Sequence, residues 1–191
     1  RTMARPREFK PDAALGAIKN AFWEKGYEGA SMQDLEAATG LKKQSLYRLY
    51  GDKRGMYLSA LQHYEDNEIA GSAPLLAEGP ARARFTRLFN HAIDDALIGG
   101  DRRGCFLCNA AVDQAPLDAR SREAVEAAMN RVRAMFADAL SASSPYDKSP
   151  RKREAKAAQL TAAYFGLRVL VKANAPEQAL RDAARGAIEA I

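Results

Sequence analysis

Glycine and proline residues divide this chain into alanine-rich segments in which apolar residues recur at helical spacing. β-Branched residues are sparse, and no alternation of apolar and polar residues bounded by hairpin turns indicates a strand. Alanine has the highest helix propensity of all residues. The sequence therefore predicts an all-α fold, and its 191 residues, 47% of them hydrophobic, suffice for a real core.

Polar residues mark the predicted starts of the first helices. Asp12 and Ser31 are predicted N-caps, and Asp34, three residues after Ser31, suggests a capping box. Asp52 is the predicted cap of a long fourth helix. Glycines are predicted to end the three helices before it: Gly26, Gly40 and Gly51. The nine predicted helices cover about residues 13–25, 32–39, 42–49, 53–69, 81–98, 104–115, 118–142, 152–174 and 176–190.

Two short predicted helices joined at Gly40 fit a helix-turn-helix, in which the second helix enters a major groove of DNA. Lysine, glutamine and arginine side chains pair with base edges, and serine and tyrosine hydroxyls with phosphates. The polar face of the second helix carries Lys42, Lys43, Gln44, Ser45 and Arg48, and its other face Leu41, Leu46, Leu49 and Tyr50. A helical hairpin with a solvated charged face would have the same residues, so the pattern alone leaves both interpretations open.

The net charge of +5 at pH 7 makes a polyanionic partner plausible. Nucleic acid is favoured over a membrane surface because no strongly basic amphipathic helix stands out. No apolar run approaches the roughly 20 residues that cross a bilayer, and no apolar segment follows the basic residues at the N-terminus. Together with only two cysteines, this predicts a cytoplasmic protein without a membrane span.

Three sequence elements resemble the N-terminal domain of the TetR family of bacterial transcriptional regulators. They are FWEKGYEGAS at the end of the first helix, DLEAATG, and LKKQSLYRLYGDK before a long helix. The resemblance covers about a quarter of the chain. It implies a three-helix helix-turn-helix DNA-binding domain in residues 1–52, and a helical ligand-binding and dimerisation domain in residues 53–191.

The resemblance also implies roles for individual residues. Tyr47, Lys53 and the start of the helix headed by Ser31 would grip phosphates, and the bases would be read by Lys43, Gln44, Ser45 and Arg48, with Lys42 beside them. The family often has a second aromatic residue where this chain has Arg48, and histidine where it has Leu49, so the operator sequence stays open. Arg5, Arg7 and Lys10 form either an arm for a minor groove or a solvated tail.

The family places a small-molecule pocket after the DNA-binding domain and dimerises through its last two long helices. The pocket candidates on predicted helices four to seven are Tyr64, Phe85, Phe89, Phe106, Asn109, Val112, Met129 and Phe136. Apolar stripes expected to pair across a two-fold axis contain Leu160, Tyr164, Leu167, Val171, Leu180, Ala184 and Ile188. The alternative is that these stripes fill the core of one protomer.

Cys105 and Cys108 are three residues apart and would share a helix face, so they could chelate a soft metal or form a redox pair. Zinc needs about four ligands, and neither His63 nor His91 has metal-ligand spacing to the cysteines. We therefore expect two buried packing cysteines and no metal or cofactor. The chain has no G-x-S-x-G, P-loop or G-x-G-x-x-G motif, and no enzyme is predicted.

The sequence thus predicts a ligand-responsive TetR-like regulator that binds a palindromic operator in double-stranded DNA as a homodimer. A repressor is favoured, and the sequence leaves activation open as the alternative. One alternative is a thiol- or metal-responsive regulator that uses Cys105 and Cys108. The other, from a different class, is a helical enzyme or binding protein without a DNA role.

Overall fold

The computed structural model describes residues 10–191 and confirms the all-α prediction, since these residues form helices and no strand. The predicted arm residues Arg5 and Arg7 lie outside the described part of the chain. None of the described helices is long and apolar enough to cross a membrane. The helices are α1 (Pro11–Gly29), α2 (Met32–Thr39), α3 (Lys43–Tyr50), α4 (Lys53–Tyr64), α5 (Ala81–Leu97), α6 (Phe106–Asp113), α7 (Ala119–Leu140), α8 (Pro150–Lys172) and α9 (Glu177–Glu189).

The prediction that Asp12 caps α1 is wrong. Lys10 is the extended N-cap residue, Pro11 follows as the first helical residue, and Asp12 lies inside the first turn. Proline suits this first position because its fixed φ is helical and its missing N–H would have no partner there. Gly26, with φ 75° and ψ 173°, interrupts the helix as predicted, and one further turn runs on to Gly29.

Helix α4 begins and continues as the sequence indicates. The Asp52 carboxylate accepts a hydrogen bond from the Gly55 amide at 2.6 Å, which caps the first turn. After Tyr64 the chain continues without a break into a π-helical turn, Glu65–Ile69, where helix four was predicted to end. A short 3-10 helix, Ala73–Leu76, lies in the segment between this turn and α5.

Two compact units divide the chain between His63 and Tyr64. In the first unit α1 packs on α2, and α2 on α3. Its core contains the fully buried side chains Ile18, Phe22, Leu35, Leu46, Met56 and Tyr57. These residues come from all four helices α1 to α4, so the first unit has a hydrophobic centre of its own.

The second unit is built from α5 to α9, with α7 on α8, α5 on α9 and α8 on α9. At its centre Phe85 meets Phe136 edge-on at 5.1 Å between ring centroids, and Tyr164 meets Phe89 edge-on at 5.3 Å. The prediction that the apolar stripes of the last two helices form a dimer interface is wrong for their main members, because these side chains already fill the protomer core. The buried ones are Leu160, Leu167, Val171, Leu180 and Ala184.

Gly55 is a position at which only glycine fits the first turn of α4. A Cβ atom there would lie 1.9 Å from the carbonyl oxygen of Tyr50. We expect Gly55→Ala to destabilise the first unit by about 2 kcal/mol or more, because backbone atoms must move apart. The single tryptophan of the chain, Trp23, is buried in this unit, so its fluorescence during urea unfolding measures the effect.

Gly16→Ala is the matched control in the same unit. A Cβ atom at Gly16 would meet the His63 ring at 3.7 Å, an ordinary contact, inside α1. Alanine should therefore raise the stability by about 0.5–1 kcal/mol through its helix propensity. If both variants unfolded at the same urea concentration, the close approach of Gly55 to Tyr50 would not constrain the fold.

Candidate nucleic-acid interface

The turn between α2 and α3 is closed by Thr39 and Gly40. The Thr39 hydroxyl donates to the Leu35 carbonyl at 2.7 Å and accepts from the Leu41 amide at 3.1 Å. Gly40 adopts the left-handed conformation with φ 70°, which glycine tolerates without strain. The predicted bend at Gly40 is confirmed.

Helix α3 is fastened to α2 by one hydrogen bond and one buried side chain. The Glu36 carboxylate accepts from the Lys43 backbone amide at 2.8 Å, so a residue of α2 satisfies the first turn of α3. Leu46 is completely buried. Glu36 was not predicted from the sequence, because its partner is a backbone group across the turn and no residue pattern marks it.

The opposite face of α3 is open to solvent and basic. Lys42, Lys43, Gln44 and Arg48 are exposed, whereas Ser45 and Tyr47 are half-buried. The Lys43 ammonium lies 5.4 Å from the centroid of the Tyr47 ring. The structure thus brings the predicted base-reading residues together on one face.

Leu49 was predicted to pack on the inner face of α3, and this is wrong. Its side chain is 45% exposed. Three residues along a helix correspond to a rotation of about 300°. Leu49 is therefore displaced by about 60° from the buried Leu46 and lies at the edge of the packed face.

Ser31 caps α2 in the reciprocal arrangement that the sequence predicts. Its hydroxyl accepts from the Asp34 amide at 3.1 Å, while its own amide and hydroxyl each donate to the Asp34 carboxylate at 2.8 Å. The Lys25 ammonium binds the same carboxylate at 2.7 Å. Lys25 and then Ser31 lower the pKa of Asp34 to about 2. A negative charge therefore already lies beside the helix N-terminus that was predicted to hold a phosphate.

Two cationic side chains at the start of α4 lie over the ring of a tyrosine from α1. The Lys53 ammonium lies 4.7 Å, and the Arg54 guanidinium carbon 3.9 Å, from the centroid of the Tyr27 ring. Tyr27 in turn packs edge-on against Tyr57 at 5.2 Å. Lys53 was predicted from the sequence, whereas Arg54 and Tyr27 were not, since no local spacing connects α1 with α4.

The pocket candidates lie in several different surroundings within the second unit. Phe85, Phe89 and Phe136 pack in the core of the second unit, and Tyr64 meets Phe106 edge-on at 5.8 Å. Met129 and Asn109 are half-buried, and the Asn109 amide donates to the Arg103 carbonyl at 3.2 Å. Val112, by contrast, is 78% exposed, so the pocket containing it stays a prediction.

Both cysteines are buried free thiols, as expected, but they do not both lie within the helix. Cys105 is the N-cap of α6 in an extended conformation, and Cys108 lies in its first turn. His63 and His91 lie beside Asp12 and Asp95 respectively. Residues 10–191 contain no group of three or more His, Cys, Asp or Glu side chains placed to hold a metal ion.

Known proteins are similar to this chain in the sequence of the first unit and in the overall fold. The family described as bacterial regulatory proteins, tetR family, matches residues 14–60. The uncharacterized HTH-type transcriptional regulator YezE of Bacillus subtilis is 36% identical over 118 residues, which are 61% of this chain and 60% of YezE. The HTH-type transcriptional repressor ComR of Escherichia coli is 32% identical over 118 residues, 61% of this chain and 56% of ComR. The matches therefore span less than two thirds of these relatives.

A solved structure extends the likeness to nearly the whole chain. A cysteine mutant of the TetR family transcriptional regulator CifR, complexed with 26-base-pair operator DNA, superimposes with a TM-score of 0.84. It is 28% identical, and the match covers 97% of this chain and 99% of CifR. The first unit thus matches the tetR family of bacterial regulatory proteins in sequence over residues 14–60, and the chain shares the fold of a TetR family regulator.

Proposed function

We propose that this protein is a cytoplasmic, ligand-responsive transcriptional repressor that binds a roughly palindromic operator as a homodimer. The observation that carries the proposal is the exposed basic face of α3, fastened to α2 by Glu36 and Leu46. Packing of α3 on α2 keeps the side chains of this face in a fixed geometry, which recognition of bases requires. ComR is named a repressor and CifR has been solved on operator DNA, and both relationships support the same role here.

Different residues of the interface would supply specificity and affinity. Arg48 and Gln44 are exposed and carry groups that pair bidentately with guanine and adenine edges respectively. Lys53 and Arg54, held on the Tyr27 ring, are suited to phosphates, as is Tyr47. Phosphate contacts set the position on the duplex, and base contacts set the sequence preference.

Dimerisation would use a different face of α8 and α9 from the one that the sequence indicated. Exposed apolar residues recur along α8 and its C-cap at Ala162, Gly166, Val169, Leu170 and Ala173. A second exposed stripe, on α9 and its C-cap, consists of Ala179, Ala183, Gly186 and Ala190. Small residues at this spacing let helices of two protomers approach closely. We call these nine residues the small-residue face.

Dimerisation would also increase the affinity for DNA. Helix α3 has only eight residues and contacts few phosphates by itself, whereas two copies double the number of contacts. Two-fold symmetry would place the two α3 helices on half-sites about 34 Å apart, which is one turn of the double helix.

Ligand control would act through α4, whose residues belong to both compact units. A small molecule can shift only an equilibrium between arrangements for which it has different affinities. A ligand that favours one arrangement of the second unit would move α4 and so change the spacing of the two α3 helices. A π-helical turn at Glu65–Ile69 follows α4 directly, and such turns occur frequently at functional sites.

Arg48→Ala and Lys53→Ala should affect DNA binding differently. If Arg48 reads a guanine edge, its loss costs about 1–3 kcal/mol on the best operator and relaxes the preference at one base position. Loss of Lys53 should weaken binding to all duplexes alike. It should also reduce the slope of the logarithm of the binding constant against the logarithm of the salt concentration by about one. Fluorescence anisotropy with operators selected from random duplexes, repeated over a salt series, measures both effects.

Arg133→Ala is the control for net charge, since it removes the same charge from an exposed position on α7. Its binding should equal that of the wild type. Binding by the wild type that did not weaken steeply with salt would contradict a DNA role. Equal, sequence-independent losses for Arg48→Ala and Lys53→Ala would show that Arg48 contacts only phosphate.

Gly166→Arg tests the small-residue face. A Cβ atom at Gly166 would meet no atom within 4 Å, and arginine favours a helix more than glycine does. The protomer should therefore keep its fold, while the bulky charge keeps two α8 helices apart. We expect a shift from dimer to monomer in sedimentation equilibrium, with an unchanged far-UV circular dichroism spectrum.

Gly71→Arg adds the same charge at another exposed glycine with no atom within 4 Å of its would-be Cβ. This control should remain dimeric. A Gly166→Arg protein that stayed dimeric and bound the operator normally would place the interface on another surface.

A further inference from the structure

Cys105 and Cys108 occupy two related positions at the start of α6. Cys105 is the N-cap residue, with φ −101° and ψ 124°, and Cys108 is the third residue of the helix. An N-cap side chain points back across the first turn toward this third residue. Both side chains are buried, with exposed fractions of 4% and 6%. The two thiols therefore face each other inside the second unit.

The surroundings of the two sulfur atoms make them unequal. The Cys108 thiol and the Tyr64 hydroxyl donate hydrogen bonds to the Cys105 sulfur, and the Arg168 guanidinium adds a positive charge nearby. These interactions outweigh burial and lower the pKa of Cys105. The pKa of Cys108 is raised, because its proton is held by Cys105 and because it is buried.

Arg168 gives a second, independent reason for a thiolate at Cys105. Its Nη2 atom donates to the Gly104 carbonyl at 2.7 Å, next to Cys105 in the chain. Its Nε atom is buried and has no acceptor, and no carboxylate within residues 10–191 forms an ion pair with it. Asp101 is instead bound to Arg103 at 2.8 Å. A guanidinium whose Nε atom is buried without an acceptor is costly, and a neighbouring thiolate, beside the more distant Asp101 charge, lowers this cost.

Two cysteines that only fill space would both be neutral thiols in apolar surroundings. Here one sulfur receives hydrogen bonds and a positive charge at a helix N-terminus, while the other keeps its proton. In a thiol pair that reacts with oxidants, one thiolate attacks the oxidant and the second sulfur then attacks the oxidised first sulfur.

We propose that Cys105 and Cys108 are a peroxide-reactive dithiol, in which Cys105 is the nucleophile and Cys108 is the resolving thiol. The Cys105 thiolate attacks one oxygen of hydrogen peroxide, so that an S–O bond forms, the O–O bond breaks and the released hydroxide takes a proton to become water. The Cys108 sulfur then attacks the Cys105 sulfenic acid. Its proton leaves with the displaced hydroxyl group as a second water, and an S–S bond forms.

The cysteine pair thereby loses two electrons and the Cys108 proton to the peroxide, solvent water supplies the proton that the released hydroxide takes, and no other oxidant is needed. Tyr64 and Arg168 act as positioning residues, because they hold the charge on Cys105 and do not exchange atoms with the peroxide. Tyr164, also beside this charge, is the other ionisable group that faces it from α8.

The first experiment follows disulfide formation in the full chain without DNA. Wild-type protein is treated with hydrogen peroxide, and its remaining free thiols are then blocked with an alkylating agent in denaturant. The mass of the product is measured by mass spectrometry. We expect one intramolecular disulfide between Cys105 and Cys108. Cys108→Ser should stop at the sulfenic acid of Cys105, and Cys105→Ser should oxidise at least tenfold more slowly. Two reduced cysteines in wild type, or equal rates in both single variants, would overturn the proposal.

The second experiment tests positioning through the pH profile of the oxidation rate. Tyr64→Phe removes one hydrogen bond to the Cys105 sulfur, so the pH at half-maximal rate should rise and the rate at pH 7 should fall several-fold. Tyr146→Phe is the matched control, since Tyr146 is a buried tyrosine of the same unit and is not among the groups that shift the pKa of Cys105. Its profile should match wild type.

If the pH at half-maximal oxidation rate (the midpoint) rose in both tyrosine variants, this would show a general loss of packing and would contradict the role of Tyr64. A wild-type midpoint at or above the value for a free cysteine, about 8.5, would contradict a stabilised thiolate. These measurements involve no DNA, so they succeed or fail independently of the proposed function.

Discussion

The attachment of α3 to α2 is the constraint on which the candidate interface depends. An eight-residue helix is not stable alone in water, and it cannot present base-reading groups unless its neighbours hold it. Glu36 satisfies the first turn of α3, and the buried Leu46 fixes its rotation. These two contacts decide which side of α3 faces solvent. The basic face is therefore a consequence of packing as much as of composition.

The helices were predictable from the sequence wherever their signals are local. The capping box of Ser31 and Asp34, the left-handed Gly40 and the cap of α4 by Asp52 all involve residues within a few positions of one another. The start of α1 was missed by two residues, because proline at the first helical position outranks the polar residue after it. Competition between two local signals, rather than their absence, caused this error.

The contacts that build the sites were less predictable, since they join distant segments. The same periodicity describes a helix face buried in its own protomer and one that pairs with a second copy. Leu167 and Val171 satisfy that pattern but are buried in the protomer, whereas the neighbouring Val169 is half exposed. Only the positions of α5 and α7 distinguish these cases. For the same reason Tyr27 and Arg54 meet without any sequence signal.

The cysteine pair shows how far the surroundings can alter the meaning of a motif. By spacing alone, Cys105 and Cys108 are equivalent, and packing is the more economical interpretation. The fold breaks this equivalence by placing Cys105 before α6 and Cys108 inside it. It then adds Tyr64 and Arg168 from two other segments, both acting on the Cys105 sulfur. The Arg168 guanidinium, whose Nε atom is buried without an acceptor, has no packing advantage over an apolar side chain, so its presence beside one thiol of a pair is better explained by the charge it stabilises.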